Sequence, residues 1–162
     1  MRILFVCTDN IGRSVIAEYC LRIFLKEENI EGVIVASAGT NANSDISGFS
    51  LAHFPELKKL GIEVLNHKRT QLTKKMLEDA DFVVAFDFSN IEAIEKKFDF
   101  KPRLFNQLYK NEETSLKISG PDFSGTMDER MVQTTHYIFD AIPEVWKKLA
   151  SMQVLGLKNE HE

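Results

Sequence analysis

The sequence predicts a single-domain α/β protein with a four-stranded parallel sheet that carries helices on both faces. Short apolar runs alternate with segments of helical periodicity, the pattern of parallel strands connected by helices. The first apolar run ends at a polar loop that opens directly into a helix, as at the binding edge of such sheets. The length of 162 residues fits one domain with a complete core.

The first part of the chain alternates strand, helix and strand. Residues 2–6 are predicted to form a buried strand, because they are mostly apolar and lack helical spacing. Residues 13–28 are predicted to form a helix with one apolar face. That face consists of Ile16, Ala17, Cys20, Leu21, Phe24 and Leu25. A second strand is predicted over 31–36, ending in the segment 37–40, and a loop over 41–49 follows.

The remaining chain continues the alternation. Gly61 is the expected end of a helix, and two capping boxes, which begin at Ser89 and Thr126, mark helix starts. The predicted elements are helices over 50–60, 74–80 and 89–98, strands over 81–86 and 103–105, and a last helix after residue 126. The domain is predicted to span residues 1–155, with 156–162 as a polar C-terminal tail.

The loop from Cys7 to Ser14 carries the residues for chemistry. Backbone N–H groups in a strand-to-helix turn point inward, and the helix N-terminus adds positive potential. A thiol at Cys7 is expected to lose its proton more easily than a free cysteine, and the Arg13 guanidinium can clamp an oxyanion with two hydrogen bonds. This combination is suited to nucleophilic attack on a phosphate.

The loop resembles the motif Cys-x-x-Asn-x-Cys-Arg-Ser of the low-molecular-weight protein tyrosine phosphatases. Cys7, Asn10, Arg13 and Ser14 match that motif, and the resemblance covers nearly the whole chain. It implies a flavodoxin-like, phosphotyrosine phosphatase I-like fold and a phosphotyrosine protein phosphatase. The sequence departs from the family at Gly12, where a second cysteine is usual, and at Asp9.

The resemblance implies a reaction in two displacements. The Cys7 thiolate attacks phosphorus while the loop N–H groups and Arg13 hold the oxygens, and Asp122 protonates the leaving group. Water then hydrolyses the cysteinyl-phosphate with the same aspartate as base. The implied phosphate-binding and supporting residues are Thr8, Asp9, Asn10, Ile11, Gly12, Ser14, Ser37, His67 and Phe123. Ser14 is expected to hydrogen-bond the thiolate, and Asn10 to brace the loop through Ser37 and His67.

The general acid is expected in the segment 120–125. The family carries the acid in an Asp-Pro-aromatic sequence, whereas here the order is Pro121, Asp122, Phe123. Asp122 is the one acidic side chain of the segment and is the predicted acid, and Phe123 is expected to wall the cleft and stack on an aromatic substrate. The nearest substitutes for the acid are Glu112, Glu113 and Asp128.

Asp9 stands where the family usually has glycine. Glycine tolerates a positive φ, and aspartate tolerates it better than most residues but less freely. The charge of Asp9 is also expected to weaken anion binding, by roughly 2–3 kcal/mol before screening at an effective dielectric constant near 20.

Composition excludes several classes of partner and cofactor. A net charge of −4 argues against nucleic acid, and no apolar run approaches the length of a membrane span. Two cysteines without a signal peptide predict free thiols and a cytoplasmic location. Scattered histidines and cysteines predict no metal site, and no cofactor is expected. The expected partner is a phosphotyrosine-containing protein or a small aryl phosphate, and the sequence does not set the oligomeric state.

The sequence leaves three alternative functions open. A phosphoprotein-binding module with an inactive loop is favoured by Asp9 and by the rearranged acid segment. Phosphoarginine phosphatases of the family carry threonine at the place of Ile11, where isoleucine favours aryl substrates. Arsenate reductases share the loop but need two further cysteines, and only Cys20 is present, on the apolar helix face.

Overall fold

The computed structural model describes residues 1–157, which fold into one parallel sheet with helices packed on its faces. In this described part the sheet has four strands in the order β2-β1-β3-β4, and every pair is parallel. The elements in chain order are β1 (Arg2–Cys7), α1 (Arg13–Glu27), β2 (Ile34–Gly39), α2 (His53–Lys59), α3 (Lys74–Asp79), β3 (Phe82–Ala85), α4 (Phe88–Phe98), β4 (Arg103–Leu104), α5 (Phe105–Lys110) and α6 (Met127–Val154). This architecture confirms the predicted fold class.

The first strand, β1, lies between β2 and β3 in the sheet. Its last residue, Cys7, pairs with Gly39 of β2, and Val6 pairs with Ala85 of β3. Because the chain places β2 on one side of β1 and β3 on the other, the carboxyl end of β1 lies at a topological switch point. The loop that follows Cys7 therefore opens at the crevice where open α/β sheets bind ligands.

Alternate side chains of β1 face two separate apolar layers. Ile3, Phe5 and Cys7 lie in the layer that α1 and α6 cover, whereas Leu4 and Val6 lie in the layer that α3 and α4 cover. This alternation follows from the two-residue period of a strand. Each fully buried aliphatic or aromatic side chain contributes about 1.5–3 kcal/mol, so the end of β1 is firmly held.

Two predicted boundaries in the first half of the chain are wrong. β2 begins at Ile34 rather than at residue 31, because Gly32 adopts a φ of 79° in the preceding turn. α2 begins at His53 rather than at residue 50. Pro55 is the third residue of this helix, where a proline is tolerated because the first-turn N–H groups have no partner within the helix.

The predicted start of α4 and the predicted length of β4 are also corrected. Asp87, rather than Ser89, caps α4, since its Oδ1 accepts the backbone N–H of Asn90 at 2.8 Å. β4 ends at Leu104 because Phe105 begins the six-residue helix α5, which the sequence pattern did not reveal. A helix this short shows too little periodicity to be recognised, and its stability comes from tertiary packing.

Several predicted features are confirmed. Gly61 follows α2 with a φ of 82°, and the Thr126 hydroxyl accepts the Glu129 N–H at 3.2 Å at the start of α6. Cys20 is 1% exposed within the core. Burial raises the pKa of the Cys20 thiol to about 12, so this cysteine is structural rather than reactive.

The C-terminal end of the described chain is helical until Val154. The predicted polar tail covers residues 156–162, and residues 158–162 lie outside the part that the structure describes. Between residues 1 and 157, no helix combines the length and the apolar character that crossing a membrane requires.

Candidate active site

A tight loop connects Cys7, the last residue of β1, to Arg13, the first residue of α1. Asn10 is the position of this loop with a left-handed backbone, at a φ of 51°. Asparagine adopts that conformation more readily than most residues. Asp9, where the family usually has glycine, is therefore not required to adopt a positive φ, because the left-handed position lies one residue later.

The backbone N–H groups of residues 9–12 are available to a ligand. None of them donates a hydrogen bond to an acceptor in the described part of the chain. α1 begins immediately after them and adds the free N–H groups and the positive dipole end of its first turn. Such a concave run of N–H groups at a helix N-terminus is an anion-binding arrangement.

The Cys7 thiol lies at the end of a buried chain of hydrogen bonds. Its Sγ is 3.0 Å from the Ser14 hydroxyl, which itself accepts a hydrogen bond from the Asn10 amide at 2.9 Å. Among residues 1–157 the Ser14 hydroxyl has no acceptor other than sulfur, so its proton can be directed at Sγ. The Asn10 amide also donates to Ser37, whose hydroxyl donates to the Glu18 carboxylate at 2.5 Å. This order of donors suits a thiolate at Cys7.

Every polar atom of the Asn10 side chain and its carbonyl has a partner. In addition to the two bonds of its Nδ2, the Oδ1 accepts the Thr70 backbone N–H at 2.8 Å. The Asn10 carbonyl accepts from His67 Nε2 at 3.0 Å. The predicted brace of Asn10 by Ser37 and His67 is thus present, and it fixes the left-handed residue in place.

One end of the Arg13 guanidinium is held by protein groups. Its Nη1 donates to Asp87 Oδ2 and to the Leu116 carbonyl, both at 2.7 Å. The carbon of the guanidinium stands 5.8 Å from the centre of the Phe86 ring. Among residues 1–157 no acceptor occupies its Nε or Nη2, so these N–H groups are left for a ligand.

Asp87 is a functional residue that the sequence reasoning missed. Its carboxyl pairs with Arg13 and also accepts the Ser89 hydroxyl and the Asn90 backbone N–H. Burial by itself raises the pKa of Asp87, but the Arg13 charge and these hydrogen bonds outweigh burial and hold the pKa below its ordinary value. Asp87 is therefore the buried counter-ion of Arg13 at neutral pH. Its place directly after a buried strand was the available signal.

The loop is also attached to α4. The Asn90 amide donates to the Thr8 hydroxyl at 2.9 Å, which links the second residue of the loop to the first turn of the helix. Gly39 approaches the loop from β2, and a Cβ at this position would stand 2.6 Å from the Thr8 carbonyl. Only glycine allows this close approach of the two chains.

The Asp9 carboxylate points to a neighbouring loop rather than standing unpaired. Its Oδ1 accepts the Ser44 hydroxyl at 2.5 Å, and Arg69 donates to the same hydroxyl at 2.6 Å. Arg69 also donates to the carbonyls of Asp9 and Ser44, at 2.9 and 2.8 Å. The guanidinium thus offsets part of the negative charge that Asp9 brings to the phosphate site.

Replacing Asp9 with asparagine is expected to tighten the binding of inorganic phosphate, by less than about tenfold and most at low salt. Asparagine keeps an acceptor for Ser44 while it removes a charge that Arg69 only partly offsets. Calorimetric titration with phosphate at two ionic strengths measures the effect, with Asp45→Asn in the neighbouring loop, next to Ser44, as a matched control. Unchanged or weaker binding at low salt would show that the Asp9 charge braces the loop.

Residues on either side of the segment 120–125, which is expected to supply the acid, approach the loop that follows Cys7. The side chains of Ile118 and Met131 approach Gly12 closely enough that a Cβ there would meet them at 3.6 and 3.5 Å. Arg130 anchors the segment by donating to the carbonyls of Ile118 and Gly120. Asp122 follows this anchor and is exposed to solvent.

Phe123, which is predicted to wall the cleft and to stack on an aromatic substrate, is a buried residue in the structure. Its side chain is 8% exposed and belongs to the core, where its ring packs edge-on against Tyr137 with centroids 5.8 Å apart. Burial of an apolar ring is more favourable in free energy than its contact with water. Phe123 therefore anchors the acid segment to α6 instead of offering a free face.

Two of the substitute acids have other partners. Asp128 accepts the Ser50 hydroxyl at 2.5 Å, and Glu112 pairs with Lys110 at 3.4 Å. Within residues 1–157 there is no group of three or more histidine, cysteine or acidic side chains placed to hold a metal ion.

Comparison with known proteins connects this site to a phosphatase family. The sequence model of the family described as low molecular weight phosphotyrosine protein phosphatase matches residues 2–159. The low molecular weight protein-tyrosine-phosphatase YfkJ of Bacillus subtilis is 29% identical over 139 residues, 78% of this chain and 84% of that protein. The human low molecular weight phosphotyrosine protein phosphatase is 33% identical over 102 residues, 59% of this chain and 60% of that protein.

Relatives named as arginine phosphatases match this chain with an identity similar to that of the tyrosine phosphatases. The protein-arginine-phosphatase of Bacillus subtilis is 34% identical over 98 residues, 60% of this chain and 63% of that protein. A solved structure of the YwlE arginine phosphatase, a cysteine-to-serine mutant with a phosphorylated active-site serine, matches with a TM-score of 0.75 at 27% identity, over 93% of this chain and 96% of that chain. The solution structure of a low molecular weight protein tyrosine phosphatase from Bacillus subtilis also matches with a TM-score of 0.75 at 27% identity, over 94% and 99% of the two chains.

Proposed function

Because the chain belongs to the low molecular weight phosphotyrosine protein phosphatase family, we propose that it hydrolyses phosphotyrosine in proteins, or small aryl phosphates, through a cysteinyl-phosphate intermediate. The observation that carries this proposal is the hydrogen-bond order at Cys7. The Ser14 hydroxyl accepts from Asn10 and has no other acceptor among the described residues, so it can donate its proton to the Cys7 sulfur. The relative whose active-site serine is phosphorylated in place of cysteine supports a covalent step.

The first displacement transfers the phosphoryl group to sulfur. The Cys7 thiolate attacks phosphorus and the bond to the leaving oxygen breaks, while the loop N–H groups and the free N–H groups of Arg13 hold the equatorial oxygens. Asp122 gives its proton to the leaving oxygen. In the second displacement water attacks phosphorus, its proton passes to Asp122, and the S–P bond breaks to return the thiolate and release inorganic phosphate.

Aryl substrates are favoured over phosphoarginine by the loop residue Ile11. Its side chain is apolar and only partly buried beside the anion site, so it offers contact area to a flat ring. Phosphoarginine is the second candidate, because a relative of similar identity is a protein-arginine-phosphatase and because Asp9 brings negative charge near a cationic substrate. An arsenate reductase mechanism is disfavoured, since the second thiol that it needs would be the buried Cys20.

A substrate panel tests the proposal. We expect turnover of p-nitrophenyl phosphate and of a phosphotyrosine peptide, and little turnover of the same peptide with phosphoarginine. Ile11→Thr serves as the matched variant and should shift the ratio toward phosphoarginine. Preference of the unaltered protein for phosphoarginine would overturn the aryl assignment, and binding of all three substrates without turnover would show a binding module. The two free thiols support a cytoplasmic location for the proposed activity.

Asp122 is predicted to be the general acid, so its effect should depend on the leaving group. A poor leaving group needs the proton in the transition state, whereas a good one hardly does. Asp122→Asn should slow an alkylphenyl phosphate by roughly 10²–10⁴-fold and an activated aryl phosphate much less. Asp140→Asn, which removes the charge of an exposed acid on α6, is the control. Equal losses on both substrates, or none, would assign the acid to Glu112, Glu113 or Asp128.

A further inference from the structure

Each carbonyl of the phosphate loop from residue 7 to residue 12 has a hydrogen-bond partner. The first two accept backbone N–H groups from the end of β2, at Thr40 and Asn41, and the last accepts the Ile16 N–H inside α1. The three central carbonyls instead accept from side chains. These bonds run from Arg69 Nε to Asp9 at 2.9 Å, from His67 Nε2 to Asn10 at 3.0 Å, and from His53 Nε2 to Ile11 at 2.5 Å.

The direction of these three carbonyls decides where the loop N–H groups point. In a trans peptide the carbonyl and the N–H of the following residue point in opposite directions. A carbonyl drawn outward at Asp9, Asn10 or Ile11 therefore turns the N–H of the next residue inward, toward the anion. The N–H groups concerned belong to Asn10, Ile11 and Gly12, and they donate to no acceptor in the described residues.

His53 is a core residue whose side chain makes one hydrogen bond, to the Ile11 carbonyl. It is the first residue of α2, its side chain is fully buried, and its ring packs on Phe54 with centroids 4.0 Å apart. Burial lowers the pKa of His53 to about 4, the bond to the Ile11 carbonyl opposes that shift, and the neighbouring His67 lowers it further. The neutral ring carries its proton on Nε2, and the buried Nδ1 has no partner. An unpaired buried nitrogen is a cost that the bond to the loop offsets.

Arg69 holds the Asp9 carbonyl, the first of the three, and is itself anchored to Ser44. Its Nε binds Asp9, while its two terminal nitrogens bind the carbonyl and the hydroxyl of Ser44. The guanidinium is thereby fixed in one plane, so that its Nε cannot leave the carbonyl independently. The following residues connect this segment to β2, since Gln71 pairs with Gly39 in an isolated parallel bridge.

We propose that His53 and Arg69 are positioning residues of the phosphate site, which together with His67 form a carbonyl collar around residues 9–11. Each member of the carbonyl collar orients one specific N–H group: Arg69 that of Asn10, His67 that of Ile11, and His53 that of Gly12. The inference rests on the proposed function only in taking the loop as the phosphate site. The proposed role differs from general stabilisation of the fold, because each side chain orients one particular N–H group of the loop.

The test measures inorganic phosphate binding to the full chain by calorimetry and by amide chemical shifts in ¹⁵N-labelled protein. His53→Phe removes the donor and the unpaired Nδ1 together, whereas His53→Gln keeps an N–H at the position of Nε2. We expect His53→Phe to weaken phosphate binding by roughly tenfold and His53→Gln to restore binding to within about threefold of the unaltered protein. His136→Gln, which alters a half-buried histidine that contacts Glu56 of α2 and not the loop, is the matched control and should leave binding unchanged.

The amide shifts distinguish positioning from general destabilisation. In the unaltered protein, phosphate should shift the amide signals of Asn10, Ile11 and Gly12. His53→Phe should reduce the response of Gly12 most, and Arg69→Met that of Asn10 most. Equal loss at all three amides, or unchanged phosphate binding in both variants, would overturn the carbonyl collar. If Phe prevents folding at residue 53, the Arg69→Met spectrum decides by itself.

These measurements do not depend on turnover. If the unaltered protein binds phosphate with the three amide shifts but hydrolyses no phosphate ester, the proposed function fails while the carbonyl collar stands. If it hydrolyses phosphate esters and the site-specific amide pattern is absent from both variants, the carbonyl collar fails while the function stands.

Discussion

Replacing Cys7 with serine should abolish turnover, by at least about 10⁴-fold, while inorganic phosphate or vanadate still binds. A serine hydroxyl stays protonated at neutral pH and is a far weaker nucleophile than a thiolate. The change is nearly isosteric, so the bond to Ser14 and the loop that holds the anion are retained. Turnover of p-nitrophenyl phosphate and calorimetric titration with vanadate measure the two halves of the prediction.

Cys20→Ala provides the control for Cys7→Ser. It removes the other thiol from the core face of α1, where Cys20 is buried and its pKa is raised. The control should cost some stability through the small cavity that it leaves, but its turnover per folded molecule should remain close to normal. Near-normal turnover in Cys7→Ser, or its loss in Cys20→Ala, would overturn the assignment of the nucleophile.

Arg13→Met is expected to remove both the catalytic clamp and the partner of a buried acid. The free N–H groups of Arg13 can hold two phosphate oxygens at once, and the loss of one such donor typically costs about 10²–10³-fold in rate. The Asp87 side chain is only 4% exposed. Without its counter-ion, a buried carboxylate destabilises the fold by about 3 kcal/mol. Kinetics and urea unfolding measure the two effects separately.

The double variant Arg13→Met with Asp87→Asn separates the two roles of Arg13. Asparagine keeps the acceptor that caps α4 at Asn90 and removes the unpaired charge. Stability should therefore recover in the double variant, whereas kcat/KM should stay as low as in Arg13→Met. Recovery of activity together with stability would show that Arg13 acts by supporting the fold and not by binding the anion.

The pH dependence of stability gives an independent check on this ion pair. In the unaltered protein the pKa of Asp87 is lowered, so the pair stabilises the fold at neutral pH and this contribution is lost as pH falls through the folded-state pKa. In Arg13→Met the hydrogen bonds from Ser89 and Asn90 remain but the Arg13 charge is lost, so the pKa of Asp87 rises and the folded variant binds the proton more tightly than the unaltered folded protein does. The destabilisation of the variant should therefore be largest at neutral pH and shrink in acid.

The local part of the site follows from the sequence alone. Cys7 ends an apolar strand and Arg13 begins an amphipathic helix. Residues that are neighbours in the sequence therefore define the loop between them and its position in the fold. The brace of Asn10 by Ser37 and His67 was implied by the resemblance to the family, and the structure contains it. The strands, α1, α3 and the cap at Thr126 also follow from short-range periodicity and capping.

Only the tertiary structure shows which side chains support the loop. Asp87 meets Arg13 across 74 positions of sequence, Arg69 meets Asp9 across 60, and His53 meets Ile11 across 42. A local pattern, such as the place of Asp87 after a buried strand, can mark a residue but cannot name its partner, because a hydrogen-bond partner this distant is chosen by the packing of separate elements. The same applies to Phe123, whose sequence neighbours place it at the cleft but whose ring gains more from the core. The sequence by itself determined the reactive loop, and packing decided how that loop is held.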